Sequence, residues 1–136
     1  LPSEVIPLAS QIDKLLDARD QQLARARHRA ANLAHGFKTP LQALLGERVE
    51  PEHAFVIRTL LIHAYRRVQL HDPMLPVELL PQPWPGVEAY EVARALYLAT
   101  YRAAEDHIMA TLQREDADAK PAEESFYQRF GGLPRA

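Results

Sequence analysis

From Val5 to Leu44, apolar or small residues recur in alternating steps of four and three: Val5, Ala9, Ile12, Leu16, Leu23, Ala26, Ala30, Leu33, Phe37 and Leu44. Arg19 and Pro40 stand at the two irregular positions. A repeat of this kind places every one of these side chains on one stripe of an α-helix. The spacing predicts a single helix of about 40 residues, which at about 1.5 Å per residue extends about 60 Å. A rod so long, with so narrow an apolar stripe, gains its stability from a partner helix. A homodimer is therefore the expectation.

Gly46 ends this helix, and Pro51 is suited to the first position of the next, where its missing N–H would be unpaired in any case. Ala54, Ile57, Leu61, Tyr65 and Val68 mark the buried face of the second helix, up to the break at Asp72-Pro73. So short a connection predicts an antiparallel helical hairpin. Residues 71–86, HDPMLPVELLPQPWPG, hold five prolines and cannot be one helix. The apolar residues among them, Met74, Leu75, Val77, Leu79, Leu80 and Trp84, predict an ordered strap lying against a core. From Val87 to about Arg114 nothing interrupts a third helix, with Tyr90, Ala93, Tyr97, Tyr101, Ala104, Ile108 and Leu112 on one face. Glu115 to Glu124 reads as a mobile linker, followed by a short amphipathic tail of Phe126, Tyr127, Phe130 and Leu133. The fold class is all-α: a long heptad helix in a hairpin, forming a dimeric bundle, then the strap and a further long helix.

Composition narrows the function. With 47% hydrophobic and 25% charged residues, the chain is not disordered throughout. It has no cysteine, hence no disulfide, thiolate zinc site or thiol nucleophile, which fits a reducing, cytoplasmic setting. No apolar run approaches the roughly 20 residues that span a bilayer, and the first residues do not form a signal peptide. The chain opens on Leu1 rather than Met, as a fragment would. Basic and acidic residues nearly balance, seven to six over 1–50 and nine to twelve over 51–136, which argues against direct nucleic-acid binding. His63 and His71 are eight apart with no acidic ligand at helical spacing, so no metal and no cofactor are expected.

The most chemically suggestive residue is His35. With Ala30 at heptad position a and Leu33 at d, His35 falls at f, pointing away from the helix partner. A neutral imidazole is a competent nucleophile near neutral pH, and an exposed one can be reached by a phosphoryl donor on another domain. Pro40 cannot donate to the carbonyl of Gly36, which predicts a loosened turn just after the histidine. A solvated surface histidine beside an incidental proline accounts for the same residues.

The stretch RHRAANLAHGFKTPLQALLG, residues 27–46, resembles the phosphoacceptor box of sensor histidine kinases, and the preceding LPSEVIPLASQIDKLLDARD is similar to the segment that leads into their dimerisation helix. The resemblance covers residues 1–48. It implies that His35 accepts a phosphoryl group and that Thr39 has a phosphatase role, with a kinase ATP-binding domain and a response-regulator receiver as partners. Gly36 departs from the pattern, since many members carry an acidic residue there. No Asn-rich nucleotide box or Gly-rich lid follows, so autonomous kinase activity is not expected.

The second half resembles a different family. AFVIRTLLIHAYRRVQLHDPMLPVELLPQPWPG, then YEVARALY and SFYQRFGGL, are similar to the C-terminal domain of phenylacetic-acid-degradation repressors of the PaaX type, over residues 52–133. The resemblance implies a helical effector-response or dimerisation domain responding to phenylacetyl-coenzyme A, here without a DNA-reading part. From the residues themselves, Arg58, Arg66 and Arg67 with His63 and His71 offer cations to an acidic ligand, and Tyr65, Trp84 and Tyr97 offer an aromatic lining. The same arginines would equally pin the strap by pairing with Asp72, Glu78 and Glu88, the aromatics then being core. The two resemblances meet near Glu47 to Pro51, and the sequence reads as a fusion of a unit at 1–48 with one at 51–136. Two functions follow: a non-catalytic regulatory module that pairs through its long helix, or a phosphotransfer substrate modified in trans on His35.

Overall fold

The computed structural model describes residues 3–135. Three helices carry the fold: α1 spans Val5–Leu44, α2 spans Pro51–Leu70 and α3 spans Pro85–Glu115. Short 3-10 turns occupy Val77–Leu79 in the strap and Glu124–Gly131 in the tail. Among the described residues there is no strand, and no helix is long and apolar enough to cross a membrane.

The helix boundaries follow local chemistry. Gly46 takes a φ of +83°, the left-handed conformation that closes a helix and that glycine adopts without steric cost. Pro51 and Pro85 both sit in the first turn of their helices. α3 thus starts two residues before the expected Val87. The helix α1 continues through Pro40 to Leu44. Gly86 lies under the Trp84 indole, and a Cβ there would come within 2.5 Å of Nε1, so a glycine lets the strap's last residue fold over the start of α3.

α3 packs extensively on both α1 and α2, which meet each other over a smaller area. The core joins Ala30, Leu33 and Ala34 of α1, Leu61, Tyr65 and Val68 of α2, Ala89, Ala93, Leu96, Tyr97 and Tyr101 of α3, and Phe126 and Leu133 of the tail. From Ala26 onward the apolar stripe of α1 is covered by the chain's own strap, α2 and α3. Before Leu23 the stripe stands uncovered: Val5, Ile12 and Leu16 are exposed, as are their neighbours Ile6, Leu8 and Leu15. One helix therefore has two halves of different character, because α3 meets only one of them.

The strap also differs from expectation. Leu80 and Trp84 are buried against Ala26, with Leu23 and Leu75 packed beside them, but Val77 and Leu79 are exposed and Met74 is 84% exposed. A strap lying along one face of α1 can bury only the side chains on that side. The expected ion pairs do not form: the Asp72 carboxylate accepts the Met74 N–H at 2.8 Å, Glu88 pairs with Lys38 at 3.6 Å, and Arg58 pairs with Glu105 at 2.5 Å.

Nor is the segment after α3 a free linker. The Ala119 N–H bonds to the Asp116 carbonyl at 3.1 Å, forming a turn, and Ala122 packs against the core. The tail then reverses at Phe130, Gly131 and Gly132, all at positive φ, and the Leu133 N–H bonds back to the Tyr127 carbonyl at 2.7 Å. This reversal returns Leu133 to the core.

Candidate functional site

Two places gather the residues singled out above. The first is the outer face of α1. Ala30, Leu33 and Ala34 face the core, so His35, one step further around the helix, is exposed. Nothing lies within 4 Å of where a Gly36 side chain would begin, and the surface beside the imidazole is open. Thr39, four residues on, is exposed as well. Phe37 packs inward and Lys38 reaches Glu88 on α3, so the turn that carries His35 is held on its other side. That pair is more than half exposed on both sides and adds little energy of its own.

The second is a groove of about 550 Å³ between α2, the start of α3 and the tail. Tyr65 and Arg66 enter from α2, Tyr90 from α3, and Arg129 and Phe130 from the tail. The Phe130 ring centroid lies 5.7 Å from that of Tyr65 and 5.9 Å from that of Tyr90, giving the groove an aromatic wall. Arg129 donates from Nη1 to the Tyr97 hydroxyl at 2.8 Å and lies over the Phe126 ring at 4.7 Å, which fixes its guanidinium beside the groove. Arg94 donates to the Phe130 carbonyl at 3.1 Å and pins the turn. Burial raises the pKa of the Tyr65 phenol above its ordinary value, and the nearby Tyr90 and Asp72 push it the same way against the Gln69 hydrogen bond. Tyr65 therefore stays a neutral hydroxyl across the physiological range. Two cations beside an aromatic wall suit a ligand with an anionic group and an apolar ring.

The four binding residues expected from sequence do not converge. Tyr65 and Arg66 share this groove. Arg67 lies on another side of α2, in a smaller depression of about 300 Å³ with Arg29, Asn32 and Phe37. Trp84 is buried under the strap with Ala26 and Leu80. Tyr97 is wholly buried, and its hydroxyl holds Arg129. Sequence reasoning missed Tyr90, Arg129 and Phe130 as groove residues. The only pointer was an arginine set among the aromatics of SFYQRFGGL.

Comparison with known proteins completes the description. The chain is similar to the transcriptional repressor PaaX of Escherichia coli K12, 40% identical over 97 residues, which cover 69% of this chain and 31% of the repressor. It is also similar to the sensor protein kinase CarS of Pseudomonas aeruginosa PAO1, 39% identical over 88 residues, covering 59% of this chain and 20% of the kinase. Those shares of one chain add to more than the whole, so the two matched stretches overlap. The chain thus spans about a third or less of each of these relatives. No solved structure matches it. The family model for the PaaX-like protein C-terminal domain matches residues 21–110, from the point in α1 where burial begins, through α2 and the strap, and into α3. The junction expected near Glu47 to Pro51 lies inside that range. With well over half of its length matched, the chain belongs to the PaaX-like protein C-terminal domain family.

Proposed function

We propose that this chain is a non-catalytic module of a transcription regulator, pairing with a second copy through the front of α1 and responding to an effector in the groove of Tyr65, Arg66, Arg129 and Phe130. Membership of the family and the similarity to a transcriptional repressor support the regulatory role. The anionic and apolar demands of the groove fit phenylacetyl-coenzyme A, the effector that the repressor resemblance implies. DNA contact is left to parts outside this chain.

The observation that carries the pairing is the uncovered seam. Val5, Ile12 and Leu16 continue the heptad of the buried half but stay exposed among the described residues. Each seam leucine contributes about 1.5–3 kcal/mol when buried, and in a symmetric pair each is buried twice. Leu16→Arg is expected to weaken self-association at least about tenfold, read by sedimentation equilibrium. Leu23 is a poorer test, since it packs under the strap beside Trp84. A monomeric wild-type chain at about 100 μM would remove the pairing.

A second reading rests on the exposure of His35 at the f position and on the similarity to a sensor kinase: that His35 receives a phosphoryl group in trans and passes it to a receiver aspartate. Thr39, exposed one turn later, would serve dephosphorylation. Incubation with a kinase ATP-binding domain and radiolabelled ATP should give acid-labile label that disappears in His35→Ala. Label that survives the substitution, or no label at all, excludes this reading.

A further inference from the structure

A second groove, of about 660 Å³, lies where α1 passes the end of α2 and the start of the strap, apart from both places described above. Arg19, Arg25 and Arg29 line it from α1, and His71 and Asp72 from the opposite side. Among the described residues, Arg19 and Arg29 make no ion pair or side-chain hydrogen bond, and Arg25 reaches only Gln21 on its own helix, at 3.4 Å. Asp72 is the one acidic side chain on the groove, and one of its oxygens already holds the Met74 N–H. His71 donates from Nδ1 to the Arg67 carbonyl at 2.7 Å, which fixes its ring at the edge of the groove.

Three guanidinium groups around one concavity, in a chain whose net charge is −2, repel one another, and the single carboxylate on the groove, Asp72, offsets only one of the three charges. Guanidinium forks match phosphate oxygens two at a time, so several of them favour a ligand with more than one phosphate. Apart from Gln22, the remaining wall is apolar, formed by Leu23, Leu70, Pro73 and Leu75, and accepts a flat or aliphatic group. The volume is that of a small-molecule site, and the near balance of charge over the first fifty residues disfavours a duplex surface. We infer that this groove binds a small organic diphosphate of the nucleotide type, its phosphates on Arg19, Arg25 and Arg29 and its apolar part on Leu23 and Leu75. The site needs neither the pairing of α1 nor the aromatic groove. Leu23 and Leu75 also pack beside Trp84, so filling the groove changes the surroundings of the only tryptophan.

The test is calorimetric titration of the full chain with adenosine diphosphate and with inorganic pyrophosphate at low salt, alongside Trp84 emission. Both probes should bind saturably, one per chain, more weakly as salt rises, and the nucleotide should shift the emission. Arg25→Ala with Arg29→Ala should weaken both by at least about tenfold. Arg27→Ala, on the neighbouring groove with Asp20 and His28, should change them by no more than about twofold. All three side chains are at least partly exposed, so the fold is retained. Absence of saturable binding at about 1 mM nucleotide overturns the assignment, as does an equal loss with Arg27→Ala. A short DNA duplex that binds more tightly than the nucleotide and competes with it would also overturn it, marking a nucleic-acid surface instead.

Discussion

Replacing Tyr97 by alanine is expected to lower the free energy of unfolding by about 3–5 kcal/mol, a large share of what a domain of this size has. The ring has no solvent exposure. It lies parallel to Tyr101 with centroids 6.2 Å apart, 5.0 Å from Phe130, and within 6.5 Å of Phe126, so its removal opens a cavity bounded by both α3 and the tail. Tyr97→Phe should cost only about 1 kcal/mol: it removes one hydrogen bond, and the Arg129 left behind is exposed enough for water to replace it. Urea unfolding followed by circular dichroism separates the two. A Tyr97→Ala loss below about 1 kcal/mol would mean that the tail is not docked on α3.

The second large effect is expected at Glu105. Its carboxylate pairs with Arg58, whose side chain is only 10% exposed, and the Arg58 guanidinium also lies 5.9 Å from the Phe126 ring centroid. Taking away one partner leaves the other charge in a site that water scarcely reaches, so Glu105→Ala should cost about 3 kcal/mol. Glu105→Gln, which keeps an acceptor for the guanidinium, should cost less. Replacing both residues, as Arg58→Met with Glu105→Leu, should restore most of the loss, because neither charge is then left unpaired. A double-mutant cycle by urea unfolding measures the coupling. Additive losses would show that the pair does not interact in solution.

The tail explains why part of the candidate site escaped the sequence. Tyr65 and Arg66 are neighbours on a helix whose periodicity is plain, and they do share a groove. Arg129 and Phe130 reach that groove only because Phe130, Gly131 and Gly132 turn the chain back and Arg129 is held by Tyr97, a residue 32 positions earlier. Nothing in the spacing of SFYQRFGGL reports the partner of its arginine. The groove of Arg19, Arg25 and Arg29 is similar: three cations on one helix read as a solvated face until the strap closes one side of them.

By itself the sequence determined the all-α class, the helix boundaries at Gly46 and Pro51, and the outward direction of His35, since these depend on the allowed torsions of glycine and proline and on the 3.6-residue turn. Which surface covers each stretch of the seam was decided by the tertiary structure alone. A heptad states that one face is apolar and says nothing of what lies against it. Here α3 and the strap occupy that face from Ala26 onward and leave Val5 to Leu16 bare, because helices in contact share area only where the chain's connections bring them alongside.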